Sequence, residues 1–187
     1  LFSDNIKQNA AEVVEELKSL GIETVLVTGD SKEAAHHMAK HAGIDKIEYE
    51  VKPQDKALIV ESYQSKGRTV LMAGDGINDA PALAKADVGV AMSTGSDIAL
   101  ETADILLMQG DLKLLLKTIK LSRYTIANIK QNLAWAFIYN ILSIPFAAGV
   151  FYAFGGPLLN PMIGAAAMSL SSLSVVSNAL RLGRKTL

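Results

Sequence analysis

The stretch Met72-Ala73-Gly74-Asp75-Gly76-Ile77-Asn78-Asp79-Ala80-Pro81 brings carboxylates, glycines and an amide together directly after an apolar run. That run, Thr69-Val70-Leu71-Met72-Ala73, is short and follows Gly67, which suits a buried parallel strand whose carboxyl end delivers Gly74 and Asp75 to a crevice. Gly74 and Gly76 permit close approach of the backbone to a ligand. Asp75 and Asp79 offer hard oxygen donors of the kind Mg²⁺ prefers, and Pro81 fits the first turn of a following helix. The alternative to a magnesium and phosphate loop is a plain Asx turn. A calcium hand fails, because position 12 counted from Asp75 is Ala86, where a bidentate glutamate is needed.

Upstream, the same strand, turn and helix pattern recurs. Ala11, Val13, Val14, Leu17 and Leu20 repeat at helical spacing between Gln8 and Leu20, and Gly21 supplies the stop. Ile22 to Thr28 is β-branched and apolar and ends in Thr28-Gly29-Asp30, after which Ser31 caps a predicted helix running to Ala42 before Gly43. Ile47 to Val51 fits a short strand, and Pro53 opens a helix containing Lys56 and extending to about Lys66. Downstream, Ala82 to Ala86 reads as a short helix, Val88 to Ala91 as a strand, Asp97 to Thr102 as a helix and Asp104 to Met108 as a last strand. This alternation predicts a parallel α/β sheet. His37 and His41 stand four apart on one predicted helix and offer a transition-metal pair, but no third ligand shares their register, which favours a solvated helix face. Met72, Met92 and Met108 read as core filler.

Charge divides the chain. All 19 acidic residues lie at or before Asp111, whereas Lys113, Lys117, Lys120, Arg123, Lys130, Arg181, Arg184 and Lys185 leave the rest purely basic. Between Lys130 and Arg181 no residue is charged, and Leu133 to Phe154 and Leu158 to Leu180 are each long enough to cross ~30 Å of hydrocarbon. Two transmembrane helices are therefore expected, at about 132–154 and 158–180, reversed by Gly155-Gly156-Pro157 and with both basic outer ends in the cytosol. A buried soluble helix pair is the competing reading. Residues 111 to 130 contain no Gly or Pro and predict one helix continuing into the first span. Cysteine is absent, which excludes disulfides and thiolate ligands. The chain begins at Leu1 without a signal peptide and reads as the C-terminal piece of something longer.

Gly74-Asp75-Gly76-Ile77-Asn78-Asp79-Ala80-Pro81-Ala82-Leu83 resembles the hinge motif of P-type ATPases, within the haloacid-dehalogenase superfamily. Thr28-Gly29-Asp30 resembles that superfamily's second phosphate-binding motif, and Lys56 its phosphoryl-neutralising lysine. Ala86 to Met92 and Thr102-Ala103-Asp104 also match, with a packing and loop-anchoring role. In the apolar region, Asn132-x6-Tyr139-Asn140-x4-Pro145 and Met168-x2-Ser171-Ser172-x5-Asn178 are similar to the last two spans of copper(I)-transporting members, where Tyr139, Asn140, Met168 and Ser172 match metal-ligand positions. A thioether is a soft donor suited to Cu(I), although small residues such as Gly164 and Ala165 also fit plain helix packing. Ile138 and Ser172 favour Cu(I) or Ag(I) over the copper(II) branch, and zinc and cadmium relatives place charged residues where this chain has none.

The resemblance implies a haloacid-dehalogenase-like (Rossmann-like) domain portion over 1–111 and a membrane hairpin over 112–187. It also implies an ATP-driven Cu(I) or Ag(I) exporter using Mg²⁺ and ATP through an aspartyl phosphate. In that enzyme Asp75 and Asp79 would hold Mg²⁺, Thr28, Gly29 and Lys56 would bind the phosphoryl group, and Asp30, Asn78 and Asp79 would complete the site. The nucleophile belongs to an Asp-Lys-Thr-Gly-Thr motif that this sequence does not contain, so the chain alone is expected to be inactive. Its partners would be the rest of the same ATPase (nucleotide domain, actuator domain and earlier spans), the lipid bilayer and a copper chaperone, with no nucleic acid. The expected location is a multi-pass plasma-membrane protein with the phosphorylation domain and C-terminus cytosolic. Two alternatives stand beside this: a membrane-tethered phosphatase of the same superfamily, and a non-catalytic truncated interaction module.

Overall fold

The computed structural model describes residues 9–74, 78–92, 102–107, 111–156 and 161–183. Asp75, the predicted helix from Asp97, Met108 and Pro157 lie outside the described residues. Two compact units divide at Lys117 and Thr118.

In the first unit, helix α1 (Ala10–Ser19) buries Ala10, Val13, Val14 and Leu17, a single stripe at helical spacing. Strand β1 (Val25–Val27) leads to helix α2 (Lys32–Ala42), whose N-terminus is capped by Ser31 accepting from Ala34 N at 3.5 Å. Gly43 ends it in the left-handed region at φ 71°. Strand β2 (Lys46–Glu48) runs parallel to β1, with Val25 opposite Lys46. A 3₁₀ turn (Pro53–Asp55) opens helix α3 (Lys56–Gln64). Strand β3 (Leu71–Gly74), helix α4 (Ala80–Lys85), strand β4 (Val88–Ala91) and strand β5 (Ile105–Leu106) follow. Strands β3, β4 and β5 form a parallel ladder with β4 central.

The expected alternation and parallel pairing are present, but the described strands form two ladders, β1–β2 and β3–β4–β5, rather than one sheet. Pattern alone reports which segments are strands; pairing is decided by neighbours remote in sequence. The three-stranded ladder is tightly packed against α4: a Cβ at Gly89 would sit 2.6 Å from the Leu83 carbonyl oxygen, so only glycine permits this approach. Leu83 and Ala91 are fully buried there, with Met72 and Leu106 against them, and Met92 is also buried.

Two carboxylates anchor strand starts. Asp87 accepts from Val70 N at 2.7 Å, and Asp104 accepts from Gly89 N at 2.8 Å. Its bond from Val70 N, with help from Gln64, holds the Asp87 carboxyl below the usual range. A depressed folded value means that stability is present above the unfolded pKa and lost as pH falls through the folded one. Asp87→Asn is accordingly expected to flatten part of the acid limb of a pH-dependent unfolding curve for the chain; an unchanged acid limb would show that this bond does not discriminate folded from unfolded.

Helix α5 (Leu112–Ala147) begins under Asp111, whose Oδ1 accepts from Lys113 N at 2.9 Å. Within the first unit Lys113 pairs with Glu12 at 2.8 Å, and Leu115 and Leu116 are buried. These contacts carry that unit to Lys117, six residues past the expected boundary at Asp111.

In the second unit, α5 ends at Ala147, two residues beyond Pro145, and Gly149 at φ 73° separates it from the short helix α6 (Val150–Ala153). Proline removes one helical hydrogen bond and leaves the Ile141 carbonyl without its usual partner. The expected first span to Phe154 is thus broken at 148–149. Helix α7 covers Pro161–Leu182. Among the described residues, no helix is long and apolar enough to cross a membrane. In α5 the amides of Gln131, Asn132 and Asn140, with Tyr139 and Pro145, dilute the apolar run.

Candidate functional site

Lys56 and Asp79 form the centre of the site. They are 23 residues apart, yet Lys56 Nζ donates to Asp79 Oδ1 at 2.6 Å, with side-chain exposures of 15% and 9%. Asp79 is the only buried charged or polar residue among those described. Each partner is placed by an element end. Lys56 is the first residue of α3, delivered by the 3₁₀ turn that Pro53 starts. Asp79 precedes α4 and accepts from Leu83 N through its backbone carbonyl, but its carboxylate makes no cap and turns to Lys56 instead.

Gly74, the last residue of β3, makes room for that carboxylate. A Cβ on Gly74 would lie 2.6 Å from Asp79 Oδ2 and 2.7 Å from Asp79 Cβ, so any side chain there would displace the ion pair. The Gly74 carbonyl meanwhile accepts from Met92 N at 2.7 Å, which fixes the strand end. Gly74, expected to admit a ligand, thus makes room for the Asp79 side chain. Asn78 is exposed in the turn before α4.

The Thr28-Gly29-Asp30 turn is held at the end of β1. Thr28 Oγ1 donates to Asp30 Oδ2 at 2.6 Å, and Asp30 N donates back to Thr28 Oγ1 at 3.2 Å. Glu50 N donates to Asp30 O at 3.0 Å and Val51 N to Thr28 O at 3.1 Å, with Glu50 in the left-handed region at φ 56°. A glutamate there is unusual, and the two backbone bonds hold it. A Cβ on Gly29 would meet the Val51 carbonyl oxygen at 3.3 Å. Lys56 follows Val51 by five residues. The structure thus joins Lys56 to Asp79 directly and ties the Thr28 turn to the segment that leads into Lys56. For Mg²⁺ the donor chemistry fits, since Asp79 presents a carboxylate at a strand end and hard oxygen is what the ion binds.

In the second unit the named side chains are arranged differently from their sequence grouping. The Tyr139 hydroxyl lies 3.5 Å from Ser174 Oγ, and Ser172 Oγ donates to the Met168 carbonyl at 3.2 Å within its own helix. Met168 is 75% exposed, and Asn140 is exposed. No hydrogen bond among the described residues joins Tyr139 or Asn140 to Met168 or Ser172. The shorter polar contacts between the helices lie elsewhere. Asn178 Nδ2 donates to Asn132 Oδ1 at 2.9 Å and to Gln131 Oε1 at 3.3 Å, while Asn128 Nδ2 donates to Asn178 O at 2.8 Å. Asn132 completes the cluster by donating to Asn128 Oδ1 at 3.1 Å. Sequence reading singled out Asn132 and Asn178 but missed Asn128, Gln131 and Ser174; the i, i+4 spacing of Asn128 and Asn132 was the available signal.

Residues 1–87 match the family model for haloacid dehalogenase-like hydrolases. Over all 187 residues the chain is 55% identical to a copper-exporting P-type ATPase of Legionella pneumophila, of which it spans 25%. The chain belongs to the heavy-metal P-type ATPases. A silver-exporting P-type ATPase of Salmonella typhimurium is 48% identical over 181 residues, 97% of this chain and 22% of that one. Among solved structures, a zinc-transporting PIB-type ATPase in its E2·Pi state superposes with a TM-score of 0.83 at 35% identity, over 97% of this chain and 29% of that one. The chain spans about a quarter of the length of the curated heavy-metal P-type ATPases it matches.

Proposed function

We propose that the chain contributes half of the phosphorylation site and two membrane helices to an ATPase that exports Cu(I) or Ag(I) through an aspartyl phosphate. The buried Lys56–Asp79 pair beneath Gly74 carries this reading, because a lysine and a carboxylate desolvated together at the carboxyl end of a parallel strand form a preorganised site for phosphoryl oxygens and a cation. Asp75 and Asp79 would hold Mg²⁺, which supplies charge neutralisation when bound. Lys56, the Thr28 hydroxyl and the Gly29 N–H would bind phosphoryl oxygens. Asn78 would order the loop, and Asp30 would orient Thr28 through the bond between them.

The nucleophile motif Asp-Lys-Thr-Gly-Thr does not occur in the sequence, so the chain alone is inactive in this reading. Among the described residues β1 pairs only with β2 and β3 only with β4. A further parallel strand ending in the nucleophile would have an edge to join on either ladder.

The second unit supports a membrane role by its inverted polarity. Amides face one another between α5 and α7, whereas Leu133, Phe137, Ile141, Ile144, Leu173 and Val176 are exposed. An apolar exterior of this extent belongs against lipid or further helices. Tyr139, Asn140, Met168 and Ser172 would supply part of the Cu(I) path, and the missing spans the rest. The named exporters of copper and silver at 48–55% identity favour these ions over the zinc of the 35% identical structural neighbour.

The complete protein in vesicles is expected to hydrolyse ATP faster on addition of Cu(I) than of Zn²⁺. Stimulation by Zn²⁺ with no response to Cu(I) would overturn the choice of ion.

A further inference from the structure

We propose that the outer face of α2 is a binding site for a divalent transition metal, formed by His37 and His41 and favouring Cu²⁺. The two imidazoles stand one helical turn apart with ring centroids 4.5 Å apart and planes inclined by 55°. Both residues are exposed, and neither ring takes part in a hydrogen bond among the described residues. The neighbouring His36 is different: its Nδ1 donates to the Lys32 carbonyl at 2.8 Å, and its ring packs against Tyr49.

The ring separation sets which coordination geometry such a pair can offer. Two imidazoles bound through nitrogen to one ion at about 2.0–2.1 Å, at a right angle to each other, hold their centroids about 4.5 Å apart; the tetrahedral angle opens this to about 5.2 Å. The observed separation matches the right-angle arrangement that tetragonal Cu²⁺ and Ni²⁺ prefer, and Cu²⁺ stands highest in the affinity order of divalent first-row ions. The helix is a fixed platform. Ala35, Ala39 and Ala42 are buried on its opposite face, Ser31 caps one end and Gly43 terminates the other. No group of three or more His, Cys, Asp or Glu ligands occurs among the described residues, so water would fill the other coordination positions.

This site is independent of the transport reading. Its nitrogen donors differ from the hard oxygens expected at Asp75 and Asp79, and from the thioether expected to meet Cu(I). Free imidazole nitrogen is what borderline divalent ions select.

The test is calorimetric titration of the full chain with Cu²⁺ in the absence of reductant, followed by electron paramagnetic resonance. One equivalent is expected, with a tetragonal spectrum showing nitrogen ligation. His37→Gln and His41→Gln should each weaken binding at least about tenfold, because the second imidazole of a chelate binds at high effective concentration. His36→Gln should leave binding unchanged, and circular dichroism should report the same helix content in all three. Wild-type affinity in either the His37 or the His41 variant would overturn the pair, as would an equal loss in the His36 variant or no binding by the wild-type chain.

Discussion

Replacing Lys56 with alanine is expected to destabilise the first unit by about 3 kcal/mol, because it leaves the Asp79 carboxylate buried without its counter-charge. The figure sits at the low end of the range for broken buried pairs, since Lys56 retains 15% exposure and some water reaches the pair. In the complete protein the same substitution should suppress phosphoenzyme formation, because the lysine would no longer neutralise phosphoryl oxygens. These effects can be separated. A buried pair replaced on both sides by apolar residues of similar volume is often neutral for stability, so Lys56→Met with Asp79→Leu should recover most of the stability while phosphorylation stays lost. Denaturant unfolding of the chain and phosphoenzyme yield of the complete protein give the two readouts. A Lys56→Ala variant that keeps both would remove Lys56 from the site.

The second large effect concerns the helices. Met168→Leu preserves volume and apolarity, and with Met168 75% exposed a packing role within this chain should change stability by well under ~1.5 kcal/mol. As a soft ligand it should matter far more. Cu(I)-stimulated ATP hydrolysis by the complete protein is expected to need at least about tenfold more Cu(I) in Met168→Leu, and Asn140→Ala should act in the same direction, since even groups outside the ligand set shift metal affinity by that much. Normal copper activation in both variants would assign these residues to helix surfaces, with the phosphorylation site still standing on Lys56 and Asp79.

The legible parts of the fold were those fixed by local chemistry. The Ser31 cap, the Gly43 stop and the Val13, Val14 and Leu17 part of the α1 stripe follow from backbone preferences and from the 3.6-residue period, although Ala10 is buried in place of the expected Ala11, which is exposed. The strand leading to Gly74 was legible from its apolar run, whereas the packing of Gly74 against the Asp79 carboxylate was not, because the glycine reads equally as room for a ligand. The division of strands into two ladders and the docking of Asn178 on Asn132 and Gln131 were not. They depend on residues that meet across tens of positions, where periodicity carries no information. The second unit shows this most clearly. Its lack of charge pointed to two spans, yet its amides, tyrosine and proline dilute the hydropathy on which that reading rests. The family resemblance groups Tyr139 with Met168, whereas in the structure the Tyr139 hydroxyl lies nearest Ser174 Oγ.

The most direct measurement is labelling with radioactive ATP and Mg²⁺, performed on the purified 187-residue chain alone and after addition of a segment bearing the Asp-Lys-Thr-Gly-Thr motif. The chain alone should take up no acid-stable, hydroxylamine-sensitive label. The mixture should take it up on the added segment, and Asp75→Ala in the chain should abolish it through loss of a Mg²⁺ ligand. Label on the 187-residue chain by itself would contradict the reading of these residues as half of a site that needs its other half to work.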